Sequence, residues 1–283
     1  MNRVQRKQKI FSVIFFIYIV CFAFRLIEYF ILRTDQTWVG EAIIHKLLGI
    51  LIFYIAVKQL HFTFGEMGFV KKNSLRDILK GLAFGIATFV VAYGVEVLII
   101  ASQGSFDSLQ LYVTAYAVET NIGYRTELVF FLICIIGNIV NVIMEEAIFR
   151  GLFIRILEKK YSFLLAAFIS SVIFGVWHTV GPVRNYLDGT SSLGGMIANI
   201  VMLLVTSALV GYKFALLTKI TGNVYMALGD HFVNNTLVNI LHVISDTGAD
   251  EWMTVRLSIA QSISCILVLV YYLKKCIAKP KCS

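Results

Sequence analysis

The sequence has few charged residues and almost no proline. Charged residues make up 15% of the 283 residues, whereas a soluble domain carries about 25%. Two prolines and 20 glycines exclude collagen-like, linker-rich and disordered chains. The five cysteines show no spacing typical of a disulfide framework or of a metal site. The shortage of charge indicates a chain that lies in a non-polar environment.

Hydrophobic residues take the place of the missing charge. They make up 58% of the chain, against about 45–50% in soluble domains. They form runs of about 20 residues, which favour membrane-spanning helices over the alternating segments of a transmembrane β-barrel. Eight spans are predicted: 10–32, 39–60, 78–101, 127–149, 162–180, 196–217, 222–244 and 253–273. We therefore predict an all-α, polytopic membrane helical bundle of about eight transmembrane helices, with residues 1–283 forming a single domain.

Basic residues cluster at the ends of the apolar runs, as the positive-inside rule requires. With the N-terminus in the cytoplasm, the cytoplasmic segments hold 19 Lys and Arg residues and the outer loops hold four. Both termini are therefore predicted to be cytoplasmic. The same placement explains the net charge of +8 without a nucleic-acid partner. The pattern fits a bacterial cell membrane, although a eukaryotic endoplasmic reticulum would obey the same rule.

Three clusters of polar residues fall within the predicted spans, where an ionisable group costs several kcal/mol unless it is paired or lines a wet cavity. They are Glu145–Arg150, Phe174–His178 and Asp230–Asn235. Each also has an ordinary explanation when taken alone. The first fits charges at a helix end, the second fits a packed histidine beside an interfacial Trp177, and the third fits a hydrogen-bonded seam between helices.

Taken together, the three clusters bring a carboxylate and two imidazoles to bilayer depth on three different helices. Such groups can converge in a helical bundle to hold a metal or to activate water. Glu146 and Arg150 share a helix face and are predicted to pair. Five other charged residues within the spans are read as helix–helix pairs or snorkelling ends: Arg25, Glu28, Glu41, Lys46 and Glu96.

The motifs E-E-x-x-x-R, F-x-x-x-H and H-x-x-x-N follow one another on three membrane segments. In this order they resemble the CAAX protease and bacteriocin-processing enzyme (CPBP) family, which is related to the type II CAAX prenyl endopeptidase. The resemblance covers a motif-bearing core of about residues 125–245, and every motif position matches. It implies an intramembrane endopeptidase that cleaves membrane-associated peptides or membrane-anchored proteins.

The resemblance also implies a role for each motif residue. Glu145 corresponds to the catalytic glutamate, and His178 to the histidine that helps hold the attacking water. His231 and Asn235 correspond to the pair that stabilises the oxyanion. The supporting residues are Glu146, Arg150 and Phe174.

The resemblance leaves open whether a metal takes part. In a metal-dependent version, Glu145, His178 and His231 would be the ligands of a zinc ion, with water in the fourth position. In the metal-independent version, which we favour, no cofactor is needed. The usual H-E-x-x-H helix of zinc proteases is absent.

Two other functional classes remain open from the sequence. The chain could be a non-catalytic scaffold, a peptide-binding protein or a bacteriocin-immunity factor, because a fold alone does not establish activity. A transporter is disfavoured, because the sequence contains no repeat and no matched pair of broken spans.

The predicted depths of the site residues do not agree if span five is straight. From the helical rise, Glu145 lies about 15 Å, His178 about 25 Å and His231 about 13 Å from the cytoplasmic boundary. We therefore expect span five to be tilted or broken, or its boundary to be shifted. We also expect a cavity that is open to the cytoplasm.

Overall fold

The computed structural model of the chain describes residues 3–114 and 124–278. Some of the basic residues used for the orientation lie outside it. Lys279 and Lys281 are not described, and for residues 3–9 only the backbone is described.

Ten α-helices and two short strands follow one another in the described residues. The first helices are α1 (Arg3–Ile27), α2 (Ile44–Gln59) and α3 (Ser74–Ser102), followed by β1 (Phe106–Leu111). The central helices are α4 (Leu128–Glu145), α5 (Ile154–Glu158), α6 (Phe163–Trp177), α7 (Val180–Leu187) and α8 (Leu193–Thr221). The last elements are α9 (Tyr225–Ile240), β2 (Leu241–Ser245) and α10 (Met253–Ala278). Two π-helical segments extend this pattern, Glu28–Leu32 after α1 and Glu146–Phe153 between α4 and α5.

Six helical segments of the described chain are long and apolar enough to cross a membrane. They are Ile10–Gln36, Ser74–Ser102, Leu128–Glu158, Phe163–Leu187, Leu193–Thr221 and Met253–Ile277. The prediction of an all-helical polytopic membrane fold is confirmed at this level. The helices α2 and α9 have only 16 residues each, or about 24 Å at the usual helical rise. The count of eight spans and the orientation of the termini therefore stay predictions.

Several predicted span boundaries differ from the helix ends of the structure, including the start of span two, whose helix begins at Ile44 rather than at residue 39. Span four, predicted to end at residue 149, continues without a break to Glu158 through the π-helix. Span seven, predicted to reach residue 244, ends at Ile240 because the chain becomes extended at Leu241. The following strand β2 pairs antiparallel with β1, with Leu111 opposite Leu241. This small sheet was not predicted.

The fifth predicted span is broken at the histidine of the second motif. The helix α6 ends at Trp177, a turn contains His178 and Thr179, and α7 begins at Val180. Pro182 lies four residues after His178 and has no N–H to donate to the His178 carbonyl, so a continuous helix would lose a hydrogen bond there. The unequal depths predict a tilt, a break or a shifted boundary in span five; the observed break follows the continuous helix α6 and does not by itself change the depth of His178.

Paired contacts are found for four of the five charged residues that the sequence places within the spans. The Glu41 carboxylate contacts the Lys46 ammonium, and Arg256 Nη1 lies 2.7 Å from Glu96 Oε2. Glu28 Oε2 lies 2.5 Å from His45 Nδ1. All of these side chains are buried, so each charge has the partner that a non-polar interior demands.

The helices α3 and α9 pack against each other at very short range. A Cβ atom added at Gly81 on α3 would lie 2.2 Å from the backbone oxygen of Met226 on α9. A Cβ atom added at Gly229 would lie 2.5 Å from the backbone oxygen of Ile78. Glycine at both positions therefore lets the two backbones meet and fixes the position of α9, which carries His231 and Asn235.

We predict that Gly81→Ala destabilises the protein, because the added methyl group would overlap the backbone of α9. Overpacking of this kind costs about 1–3 kcal/mol. The matched control is Gly94→Ala on the same helix, where an added Cβ meets nothing within 4 Å. Thermal unfolding in detergent should show a lower midpoint for Gly81→Ala and an unchanged or slightly higher one for Gly94→Ala. Equal midpoints for the two variants would contradict the close packing of α3 on α9.

Candidate active site

Two adjacent carboxylates lie buried at the end of α4. Glu145 is 2% exposed and Glu146 is fully buried. They occupy the junction at which α4 becomes the π-helical segment Glu146–Phe153. Segments of π-helix are rare and are frequently found at functional sites. The two side chains leave the helix in different directions and meet different partners.

The Glu146 carboxylate contacts the His231 imidazole and the Arg150 guanidinium. Its Oε1 lies 2.9 Å from His231 Nδ1 and 3.4 Å from Arg150 Nη1. The predicted pairing of Glu146 with Arg150 is therefore present. The guanidinium carbon of Arg150 lies 3.9 Å from the centre of the Phe174 ring, which gives the buried cation a favourable aromatic face. These contacts link the first motif to the second and the third.

Glu145 has one engaged oxygen and one free oxygen. Trp177 Nε1 donates a hydrogen bond of 3.0 Å to Glu145 Oε1. Glu145 Oε2 lies 3.5 Å from His231 Nε2 and has no hydrogen-bond partner among the residues described. A buried carboxylate oxygen without a donor is well suited to accept a proton from a small polar molecule.

His178 lies in the turn between α6 and α7 and is half-buried. Its Nδ1 lies 2.8 Å from the backbone oxygen of Phe174. A carbonyl oxygen can only accept, so Nδ1 carries the hydrogen and Nε2 of the neutral ring is an acceptor. His178 directly follows Trp177, whose Nε1 donates to Glu145 Oε1. The two residues thus present a pair of acceptors near each other.

His231 is positioned by α8 as well as by the two glutamates. The Phe214 ring stacks on its imidazole with 4.6 Å between the ring centres. Asn235 lies one turn further along α9 and is half-buried. Its Oδ1 accepts a hydrogen bond of 2.9 Å from Asn234 Nδ2. The structure therefore joins six of the seven predicted site residues through contacts and places Asn235 on the same helix face as His231.

The donor geometry does not form a metal site. Among the described residues, no group of three or more His, Cys, Asp and Glu side chains is arranged to hold a metal ion. His231 Nδ1 faces Glu146, and its Nε2 faces Glu145. Because the side chains in this arrangement do not fit a zinc ion, we derive no step through a metal. The metal-dependent alternative stays a prediction.

Sequence reasoning missed the contribution of Trp177. The alternative that treated it as an interfacial anchor is wrong, because Trp177 is 1% exposed and donates to Glu145. The guanidinium carbon of Arg25 lies 4.6 Å from the centre of the Trp177 ring. The position of Trp177 beside His178 in the second motif was the available signal.

Comparison with known proteins adds independent information. Residues 127–237 match the family model described as "Type II CAAX prenyl endopeptidase Rce1-like". A relative from Bacillus subtilis (strain 168), named "Putative membrane peptidase YdiL", is 29% identical over 185 residues. That match covers 62% of this chain and 64% of the relative's length, which is less than two thirds.

The resemblance to the CAAX protease family is therefore confirmed. The matched residues 127–237 contain all three motifs. Together with the six long apolar helices, the comparisons support an integral membrane protein. The bacterial source of the relative supports the predicted bacterial cell membrane.

We predict that Trp177→Phe lowers the free energy of unfolding by about 1–3 kcal/mol. The ring packing is largely kept, but Glu145 Oε1 loses its donor in a buried place, and unsatisfied buried acceptors cost this much. The control is Trp38→Phe, because the Trp38 side chain is 65% exposed. Chemical unfolding in detergent measures both. If the two variants lose the same small amount, the hydrogen bond to Glu145 contributes nothing to stability.

Proposed function

We propose that the chain is an intramembrane endopeptidase that uses a glutamate-activated water molecule. The observation that carries the proposal is Glu145 Oε2, a buried carboxylate oxygen that has no hydrogen-bond partner in the described part of the chain and lies 3.5 Å from His231 Nε2. The rest of the carboxylate is fixed by Trp177. To deprotonate a water molecule, a carboxylate must be held in position and must have one oxygen available to accept the proton.

The proposed reaction begins with a water molecule between Glu145 and His178. Glu145 Oε2 takes one proton from the water, while His178 Nε2 accepts a hydrogen bond from it. The hydroxide oxygen attacks the carbonyl carbon of the scissile peptide and forms a tetrahedral intermediate. The C–N bond then breaks, and the proton held by Glu145 passes to the leaving nitrogen. The products are a free carboxyl group and a free amine.

His231 and Asn235 are proposed to stabilise the oxyanion of the intermediate. Because His231 Nδ1 faces Glu146, Nε2 is the ring nitrogen that can serve the reaction. This role requires an N–H group at each ring nitrogen of His231 during the reaction, one donating to Glu146 and one to the oxyanion. Asn235 contributes its Nδ2 group, since its Oδ1 is already occupied by Asn234. A single oxyanion donor is typically worth about 3–4 kcal/mol in the transition state.

Glu146 and Arg150 are proposed to support the reaction without touching the substrate. Their ion pair holds Glu146 beside His231 Nδ1 and so orients the ring. Phe174 contributes its ring to Arg150 and its backbone oxygen to His178. These roles fit the supporting assignment that the family resemblance implies.

The substrate is proposed to be a peptide or a membrane-anchored protein that is cleaved near the cytoplasmic face. We place the protease core at about residues 125–245 within a single domain of residues 1–283. Eight spans with both termini in the cytoplasm remain the proposed topology, with α2 and α9 as the two short spans.

We predict that Glu145→Gln reduces peptide cleavage by at least about 10²–10⁴-fold, because the amide cannot act as a general base. The purified protein in detergent should cleave members of a peptide library, and the variant should not. Both the wild type and Glu145→Gln are also assayed with and without a strong metal chelator. Cleavage by the wild type should be indifferent to the chelator.

The matched control is Glu158→Gln, which alters a partly exposed glutamate of the same helical segment and should keep full activity. Retained cleavage in Glu145→Gln would overturn the assignment of the base. If the chelator abolishes cleavage by the wild type, the metal-dependent version holds, and Glu145, His178 and His231 are metal ligands. Peptide binding or protection against a bacteriocin that survives Glu145→Gln would support the non-catalytic alternative.

We also predict that the C-terminus and the loop at Lys72 lie in the cytoplasm and that the loop at Gly104 lies outside, which topology reporters can test. A fluorescent protein that folds only in the cytoplasm should be bright when it is fused after residue 283. An alkaline phosphatase, active only outside, should be active when it is inserted after Gly104 and inactive when it is inserted after Lys72. The reverse pattern would contradict the proposed orientation.

A further inference from the structure

A second buried ion pair lies close to the proposed site but takes no part in the reaction described above. The Lys213 ammonium on α8 lies 2.7 Å from Asp230 Oδ2 on α9. It also donates to Gln261 Oε1 at 2.9 Å and to Ser264 Oγ at 3.1 Å, both on α10. Lys213, Asp230 and Ser264 are buried. The ammonium therefore joins α8, α9 and α10 at one point.

The contact with Lys213 fixes which way the Gln261 amide faces. An ammonium group can only donate, so the atom of Gln261 that faces it must be the oxygen. The Gln261 NH₂ group then faces the opposite direction. It donates a hydrogen bond of 2.6 Å to Asn234 Oδ1. The charge of Lys213 thus settles an orientation that an isolated amide would leave open.

The same reasoning continues through two more amides. Asn234 Oδ1 is occupied as an acceptor, so its NH₂ group is the donor, and it donates to Asn235 Oδ1 at 2.9 Å. Asn235 Oδ1 is occupied in turn, so among the residues described its NH₂ group is the free end of this series of hydrogen bonds. Reversing any one amide would place two donors or two acceptors face to face.

We propose that Lys213, Gln261 and Asn234 are positioning residues that hold the Asn235 side chain with its NH₂ group toward the scissile carbonyl. This inference rests on the proposed function, because it gives a reason for the donor face of the proposed oxyanion residue. It assigns a role to α8 and α10, which lie outside the three sequence motifs. The relay residues act only through Asn235 and do not touch the substrate.

The test compares kcat and KM of four variants on a peptide that the wild type cleaves. Gln261→Met cannot donate to Asn234 and adds no charge, so kcat should fall about 10- to 100-fold, the range expected when a reacting group is misplaced. KM should stay unchanged, since the relay acts in the transition state. Ser264→Ala removes another contact of the same ammonium but leaves the relay intact, so it should match the wild type.

The remaining two variants separate positioning from a general structural effect. Asn235→Ala should lower kcat about 10²–10³-fold, as expected for a lost oxyanion donor. In the Asn235→Ala background, Gln261→Met should cause no further loss, because the two residues act as one unit. Thermal unfolding in detergent verifies that each variant is folded. If Gln261→Met does not fold, the near-isosteric Asn234→Asp replaces it, since its carboxylate cannot donate to Asn235.

The outcomes distinguish the relay from the reaction that it serves. If Asn235→Ala leaves kcat unchanged, the oxyanion assignment of the proposed function is wrong. If Asn235→Ala lowers kcat while the relay variants behave like Ser264→Ala, the relay alone is overturned. Losses that multiply in the double variant would also overturn the relay, because they would show that Gln261 acts independently of Asn235.

Discussion

Burial of two adjacent carboxylates is the constraint on which the centre of this protein depends. Glu145 and Glu146 are both removed from solvent, and an unpaired charge in such a place costs several kcal/mol. The compensation comes from Trp177 and His231 on other helices and from Arg150 on the same helical segment, as hydrogen bonds or ionic contacts. The three motifs therefore have to meet, because none of them can satisfy its polar groups alone.

The compensation is unequal, and the proposed division of labour follows from that inequality. Glu146 Oε1 faces both a guanidinium and an imidazole, whereas Glu145 Oε1 accepts from the neutral Trp177 indole. Among the residues described, the second oxygen of each carboxylate has no hydrogen-bond partner. A carboxylate that contacts a guanidinium is stabilised as one half of an ion pair, whereas one held by a neutral donor is the better proton acceptor. Adjacent residues of the same type can thus serve as a support and as a base. The close glycine packing of α3 on α9 holds the imidazole in register with both carboxylates.

The sequence predicted the features that follow from local spacing. Glu146 and Arg150 are four residues apart and pair as expected. Features that depend on distant contacts were not predictable in this way. The helical ends of α9 and α4 are set by strand pairing with β1 and by the π-helical segment, and neither has a clear periodic signal. The role of Trp177 was missed because hydropathy alone does not distinguish an interfacial indole from a buried one.

The central claim is that Glu145 activates water rather than attacking the peptide itself. A single turnover in H₂¹⁸O tests this claim directly, with mass spectrometry of both the product and the protein. The account predicts one ¹⁸O atom in the new product carboxyl group and none in the peptide that contains Glu145. A nucleophilic glutamate would pass through a covalent intermediate, and hydrolysis of that intermediate at the enzyme's carbonyl would leave the label on the protein. Finding ¹⁸O in Glu145 after one turnover would therefore contradict the account.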